Sequence, residues 1–205
     1  MPVKKEPIYL EHLLKDKKLA PLLKAQPAKK LVRKKNVCLH LMASIMSQQL
    51  SVKVAKVIYH RFLDLYNKEE PTPQEVAGTA PEKLRAIGLS NAKVSYIQNI
   101  ARYALEHGMD DKKLYKMSNE EVMDFLLPIK GVGRWTVEMQ LMFALARPDV
   151  FAVDDLGIQL MMTELYKLDP TDKKKLRENM LKISAKWSPY RTYACLYLWG
   201  HKDGA

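Results

Sequence analysis

The stretch PIKGVGRWTVE, Pro128 to Glu138, sets two glycines around one valine, with a proline upstream and a tryptophan just beyond. SNEEVMDFLL (118–127) precedes it and RWTVEMQLMFALA (134–146) follows, and both carry apolar residues at helical spacing. Ser118 with Glu121 three residues on reads as a capping box, the signature of a helix start. The stretch is therefore a tight turn between two helices. A Gly-x-Gly turn permits positive φ and close approach to the backbone. A helix opening directly after Gly133 would point N–H groups, and the positive end of its dipole, at an anion. Lys130 and Arg134 would add charge beside it. The plain alternative is an αα-hairpin whose glycines only permit the bend.

The rest of the chain bears on that choice. Its 205 residues suit one globular unit or two small lobes, and 47% apolar content is ample for a buried interior. The formal net charge of +11 favours a polyanionic partner, nucleic acid or an acidic membrane face, over a merely solvated lysine surface once the hairpin is counted. Two cysteines, Cys38 and Cys195, exclude a disulfide framework and a four-cysteine cluster. The start has no apolar signal core and no apolar run is long enough for a bilayer, so an intracellular protein with no membrane partner is expected.

Nearly every apolar pattern has helical spacing, and no alternating strand pattern occurs, so the fold class is all-α. The longest helical run, 37–66, breaks near SQQLS, where Ser47 or Ser51 caps a second helix. Short helices follow at TPQEVAG and APEKLRAIG, with Pro73 and Pro81 in first turns. A helix over 90–108 starts at Ser90 and stops at Gly108. Helices over 154–166, 172–187 and 188–201 complete the set.

VFAVDD ends on two adjacent carboxylates, Asp154 and Asp155, whose side chains cannot face the same way. One can cap the following helix; the other can face a substrate. His40, His60, His107 and His201 stand singly in the sequence and are discounted as general acids.

Together LLPIKGVGRWT and the carboxylates of RPDVFAVDDLGIQ resemble the helix–hairpin–helix DNA glycosylase superfamily, nearest to its bacterial 3-methyladenine DNA glycosylase II branch. IMSQQLSVKVA, LRAIGLSNAKVSYIQNIA and KWSPYRTYACLYLW agree in order, so the resemblance runs from about 40 to 200. It implies a two-lobed helical fold. One lobe, 37–145, carries the helix–hairpin–helix at 118–146; 1–36 with 150–205 make the second, and the catalytic cleft lies between. The N-terminal β domain of longer relatives is not expected within 205 residues. The resemblance puts catalysis on Asp155 and leaves Asp154 as the helix cap or a structural carboxylate. It puts Trp135, Trp199, Met139 and Leu156 in the base pocket, and Lys130, Gly131, Gly133, Arg134 and Thr136 on the DNA backbone. It makes Gln49 the wedge, with Gln48 or Leu50 beside it. Carbonyls of Leu127, Ile129 and Val132 are candidates to hold a monovalent cation; no other cofactor is implied. Lys130 stands where proline is more usual.

Trp135 occupies the place of the Schiff-base lysine of bifunctional relatives, and the iron–sulfur cysteine set is missing. The resemblance therefore implies a monofunctional enzyme. The implied partner is double-stranded DNA containing alkylated bases, met by a monomer acting on DNA in the cytoplasm of a bacterium or the nucleus of a eukaryote. The chemistry fits one carboxylate without a partner acid, because a purine alkylated at N3 or N7 already carries positive charge and leaves readily. Two other readings stand beside it at this point: a glycosylase for another damaged or mismatched base, and a non-enzymatic helix–hairpin–helix DNA-binding protein.

Overall fold

The structure, a computed structural model, describes residues 6–202 and Gly204. The first five residues of the expected second lobe therefore lie outside the described residues, as do positions 203 and 205. In chain order the helices are α1 (Ile8–Leu13), α2 (Ala20–Ala25), α3 (Val37–Ser47), α4 (Val52–Asp64), α5 (Pro73–Gly78), α6 (Pro81–Ala86) and α7 (Asn91–His107). They continue as α8 (Asp111–Lys116), α9 (Asn119–Leu126), α10 (Arg134–Met139), α11 (Leu156–Tyr166), α12 (Lys173–Ala185) and α13 (Arg191–Lys202). All regular structure among the described residues is helical, and none of these helices is long and apolar enough to cross a membrane.

The caps legible in the sequence are formed. Ser51, Ser90 and Ser118 each accept an N–H from the third residue on, and Ser118 with Glu121 closes a full capping box. Gly108 ends α7 in the left-handed conformation that glycine favours. Three short helices, α1, α2 and α8, escaped the sequence reading; each is six residues long. The helix after the hairpin does not run evenly to 146. Over Gln140–Ala144 it widens to a π-helical turn, with Leu145 N–H donating to Gln140 O at 2.9 Å.

The last helix starts at Arg191, not at 188 as expected. A residue before proline disfavours the α region, so Ser188 stays outside. Asp149 collects the donors there: Ser188 Oγ at 2.8 Å, Arg191 N–H at 3.2 Å and Arg191 Nε at 2.6 Å. Burial raises the Asp149 pKa, but the Arg191 and Ser188 donors outweigh it and hold it below the usual carboxylate value.

The chain forms two compact units. One is Val32–Leu145, the hairpin unit; the other combines the described residues of Met1–Leu31 and Ala146–Ala205, the terminal unit. Residues 32–36, assigned in the sequence to the second lobe, belong to the hairpin unit. Lys34 N–H donates to Ala144 O at 2.9 Å, and the N–H groups of Asn36 and Val37 each reach the Asp111 carboxylate at 2.8 Å. A basic run with no apolar period gives no sign of such anchoring. Within the hairpin unit α7 packs on α3 and α5, burying Leu41, Ile45, Val76, Ile97 and Ile100 completely.

In the terminal unit α13 packs on α11 and α2. Its polar anchor is Asp16, which accepts from Tyr166 OH at 2.7 Å, Trp187 Nε1 at 2.9 Å, Lys18 N–H at 3.0 Å and Leu19 N–H at 3.2 Å. Burial alone would raise the Asp16 pKa, but these donors outweigh it and hold it below 3.8. Trp187 is a core residue, 1% exposed. Replacing it with Phe removes the indole donor while keeping a ring, and should lower unfolding free energy by about 1–2 kcal/mol at pH 7 in urea titrations. A carboxylate with a depressed folded pKa stabilises above its unfolded value and stops doing so as pH falls through the folded one. The gap between wild type and Trp187→Phe should therefore narrow below pH 3.8.

Candidate active site and nucleic-acid interface

The hairpin is built by α9 and α10. After Leu127 the chain closes on itself through Ile129 N–H to Leu126 O at 3.2 Å and Val132 N–H to Ile129 O at 2.9 Å. Gly131 has φ +103°, and a Cβ there would run into the ring of Tyr96 on α7. A second tether from α7 is Asn99 Nδ2, which donates to Lys130 O at 3.1 Å. Gly133 differs. Its φ of −98° and ψ of 170° suit any residue, and a Cβ there would meet nothing within 4 Å. The fold needs a glycine at 131 and not at 133. At 133 the missing side chain leaves clear space before the first N–H groups of α10. Lys130 and Arg134 are exposed beside it, and Arg134 Nε pairs with Glu138 at 3.2 Å.

Thr136, expected on the DNA backbone, is 4% exposed, so its hydroxyl does not face a phosphate. It sits on the inward side of α10, and its Oγ1 accepts from Gln48 Nε2 at 3.3 Å. Gln48 belongs to the turn that ends α3. Gln49, next along, is exposed with φ +60°, and Leu50 N–H closes the turn on Ser47 O at 3.1 Å. Lys93 at the start of α7 donates through Nζ to Met46 O at 2.9 Å and Gln48 O at 2.6 Å. Burial lowers its pKa. Neither Lys93 nor its role in this turn was read from the sequence, which separates them by some forty-five positions.

In the terminal unit the helix cap falls on the second of the two carboxylates. The N-cap of α11 is Asp155, not Asp154: Asp155 Oδ1 accepts Ile158 N–H at 2.9 Å. The same oxygen accepts Trp199 Nε1 at 2.9 Å. Asp154 turns outward and pairs with Arg177 at 3.2 Å, both about half exposed. The cap goes to the residue immediately before the helix, and that is 155. Gly157, which the sequence reading passed over, makes room for this contact. A Cβ there would lie 3.1 Å from Asp155 Oδ1 and 3.2 Å from Trp199 Cδ1.

The other expected pocket residues are placed unequally. Trp135 is 40% exposed and Leu156 67%. Leu156 was expected to pack at a pocket edge; its side chain is at the surface. Met139 is buried one turn beyond Trp135 and lines a cavity of about 540 Å³ in the hairpin unit with His40, Tyr59 and Phe143. Trp135 is not among the walls of that cavity, so the two do not line it together. Burial, followed by the charge of Lys34, lowers the His40 pKa despite the Gln140 hydrogen bond. That shift disfavours the imidazolium form, the form that would serve as a general acid.

Residues 42–186 match the family model described as the HhH-GPD superfamily base excision DNA repair protein. The chain belongs to this superfamily. It is 36% identical over 185 residues, 89% of its length and 80% of the relative's, to DNA-3-methyladenine glycosylase 1 of Schizosaccharomyces pombe. It is 27% identical to DNA-3-methyladenine glycosylase 2 of Escherichia coli, spanning 54% of that longer protein. Among solved structures, a DNA-3-methyladenine glycosidase from Bacillus halodurans superposes with a TM-score of 0.83 at 32% identity, covering 98% of this chain and 92% of that one. The S. pombe 3-methyladenine DNA glycosylase in complex with abasic DNA gives 0.82 at 34%, covering 97% and 98%.

The two hairpin glycines make opposite predictions for stability. Gly131→Ala forces a left-handed backbone on a residue with a Cβ and presses that Cβ onto Tyr96, so it should cost about 2–3 kcal/mol in urea or thermal unfolding. Gly133→Ala should stay within about 0.5 kcal/mol of wild type, as at an open surface position.

Proposed function

We propose that this protein is a DNA glycosylase that hydrolyses the N-glycosidic bond of alkylated purines, of the 3-methyladenine and 7-methylguanine class, and leaves an abasic site for base excision repair. The observation that carries this reading is Asp155, a half-buried carboxylate pinned through Oδ1 by a helix N–H and an indole N–H. The names of the S. pombe and B. halodurans relatives support it, and the S. pombe structure holds abasic DNA, the product such a hydrolysis leaves.

Breaking this bond passes through a sugar with oxocarbenium character. A fixed carboxylate beside C1′ stabilises that positive charge and orients the attacking water. Because the anion is already held in place, little reorganisation is needed as charge develops. No second acid is required when the departing purine carries a positive charge from alkylation. The exposed indole of Trp135 offers such a base a cation–π face worth about 0.5–2 kcal/mol. Trp199 serves first by donating to Asp155, so it orients the carboxylate.

DNA is held by its backbone in this reading. The N–H groups after Gly133, with Lys130 and Arg134, take a phosphate regardless of sequence, and affinity falls steeply with salt. Carbonyls of Leu127, Ile129 and Val132 are the ligands offered to a monovalent cation. The oxygen-only donor set suits a hard ion, and Ile129 O, used once by Val132 N–H, keeps a second lone pair. When bound, the ion would add positive charge beside the phosphate. The base must leave the duplex to be cut, and Gln49 on its exposed turn fills the gap.

Two experiments test this. Asparagine caps helices as well as aspartate does, so Asp155→Asn keeps the Ile158 bond and deletes only the charge. Base release from methylated DNA, followed by chromatography, should fall at least about 100-fold, with DNA affinity and melting temperature nearly unchanged. Asp154→Asn removes only a surface pair and should alter rate and stability little. Retained release in Asp155→Asn would overturn the assignment. The second test uses DNA with one alkylated purine. An indole at 135 cannot form a Schiff base with C1′, so the strand should break only after alkali. Borohydride should trap no covalent complex. Trp135→Ala should lose most activity and Trp135→Phe should keep part of it. Equal losses would remove the cation–π role and leave the glycosylase standing.

A further inference from the structure

Helix α7 touches both parts of the hairpin unit that the proposed function turns toward DNA. Lys93, Tyr96 and Asn99 lie three residues apart, so they form one stripe along the helix. Tyr96 lies under the backbone of Gly131, and Asn99 Nδ2 holds Lys130 O at 3.1 Å. Lys93, about 9 Å back along the axis, holds the turn after α3. The turn and the hairpin are also joined directly by Gln48 Nε2 and Thr136 Oγ1 at 3.3 Å. A closed circuit of contacts thus runs from α7 to the turn, to α10, to the hairpin and back to α7.

We propose that Lys93 is a positioning residue for base extrusion: its ammonium clamps the end of α3 so that Gln49 is presented at a set spacing from the phosphate grip. The proposal rests on Gln49 being the wedge.

The chemistry of the clamp is local. The last carbonyls of a helix have no partner within it, and the negative end of its dipole lies there. Lys93 Nζ supplies both a cation and two hydrogen bonds, to Met46 O at 2.9 Å and Gln48 O at 2.6 Å. Those two bonds use two of the three ammonium donors, which sets Lys93 apart from a lysine kept for phosphate. Gln49, the residue just after the clamped carbonyl, has φ +60°. A residue with a side chain persists in that region where its surroundings hold it there. The holds are Lys93 on Gln48 O, Thr136 on the Gln48 amide, and Leu50 N–H on Ser47 O. Without the ammonium the turn loses its strongest tether, and Gln49 its fixed direction.

The test separates extrusion from chemistry by working in the Asp155→Asn background, with a duplex carrying one alkylated purine beside 2-aminopurine. Fluorescence of 2-aminopurine rises when its neighbour leaves the stack. Adding Lys93→Met should cut the extrusion signal at saturating protein by most of its amplitude. With Asp155 intact, Lys93→Met should slow single-turnover base release about tenfold to a hundredfold, the scale of a small misplacement. Lys93→Arg, which keeps charge and donors, should recover part of both. Affinity for undamaged duplex, and its slope against salt, should stay as in the parent. Circular dichroism and melting establish that each variant is folded.

An unchanged extrusion signal in Lys93→Met would overturn the proposal. So would a salt slope reduced by about one phosphate contact, which would make Lys93 a DNA ligand. So would an Arg variant as impaired as the Met one. Gln49→Ala separates the proposal from the reading beneath it. If Gln49→Ala also leaves extrusion intact, the wedge itself is misassigned. If Gln49→Ala abolishes extrusion and Lys93→Met does not, the wedge stands and the clamp falls.

Discussion

The backbone of the hairpin lies against the ring of Tyr96, and a residue without a side chain is what permits it. That one close approach, at Gly131 with φ +103°, fixes where the turn between α9 and α10 sits on α7. Once the turn is seated there, the direction of α10 follows, and with it the inward face of Thr136 and the outward face of Trp135. The second glycine then has no structural task. Its backbone angles are ordinary and nothing crowds its missing Cβ. A glycine where the fold does not ask for one leaves a place open, and here it lies just before the first N–H groups of a helix. The two glycines of GVG look equivalent in sequence and differ entirely in what holds them.

What could be read from the chain was what is decided locally. A capping box, a serine before an apolar period, a glycine after one and a proline in a first turn act within four residues of themselves, and Ser118, Ser90, Gly108 and Pro73 all do so in the structure. The all-α class followed from periodicity alone. Beyond three short helices, most of the features that escaped are tertiary. Nothing near Lys93 announces that its ammonium ends a helix some forty-five positions earlier. Asp149 gathers Ser188 and Arg191 from about forty residues away, and a pattern that runs on through SPYR cannot show that the helix waits for that carboxylate. The π-helical turn at Gln140–Ala144 leaves the apolar spacing readable as a plain helix. Resemblance transfers a role to a position and says nothing about burial, so the buried side chain of Thr136 and the exposed one of Leu156 were not legible.

The pair Asp154–Asp155 shows the same limit at the site proposed for the chemistry. Treating capping and catalysis as alternatives led to one carboxylate for each. In the structure Asp155 caps α11, and in the proposed reaction that cap is what holds the carboxylate in place. An N-cap aspartate has its backbone in the extended region and its side chain folded over the first turn, so Oδ1 has one position in which to meet Ile158 N–H. The indole of Trp199 reaches the same oxygen beside Gly157, where a Cβ would crowd both partners at 3.1 and 3.2 Å. Two donors from different helices, meeting on one oxygen, hold the plane of the carboxylate. A charge that stabilises a transition state by position gains most when that position needs no adjustment during the reaction. Asp154, one residue earlier, has only a half-exposed arginine to hold it and lacks that preorganisation. What distinguishes two chemically identical neighbours is which of them the helix can reach.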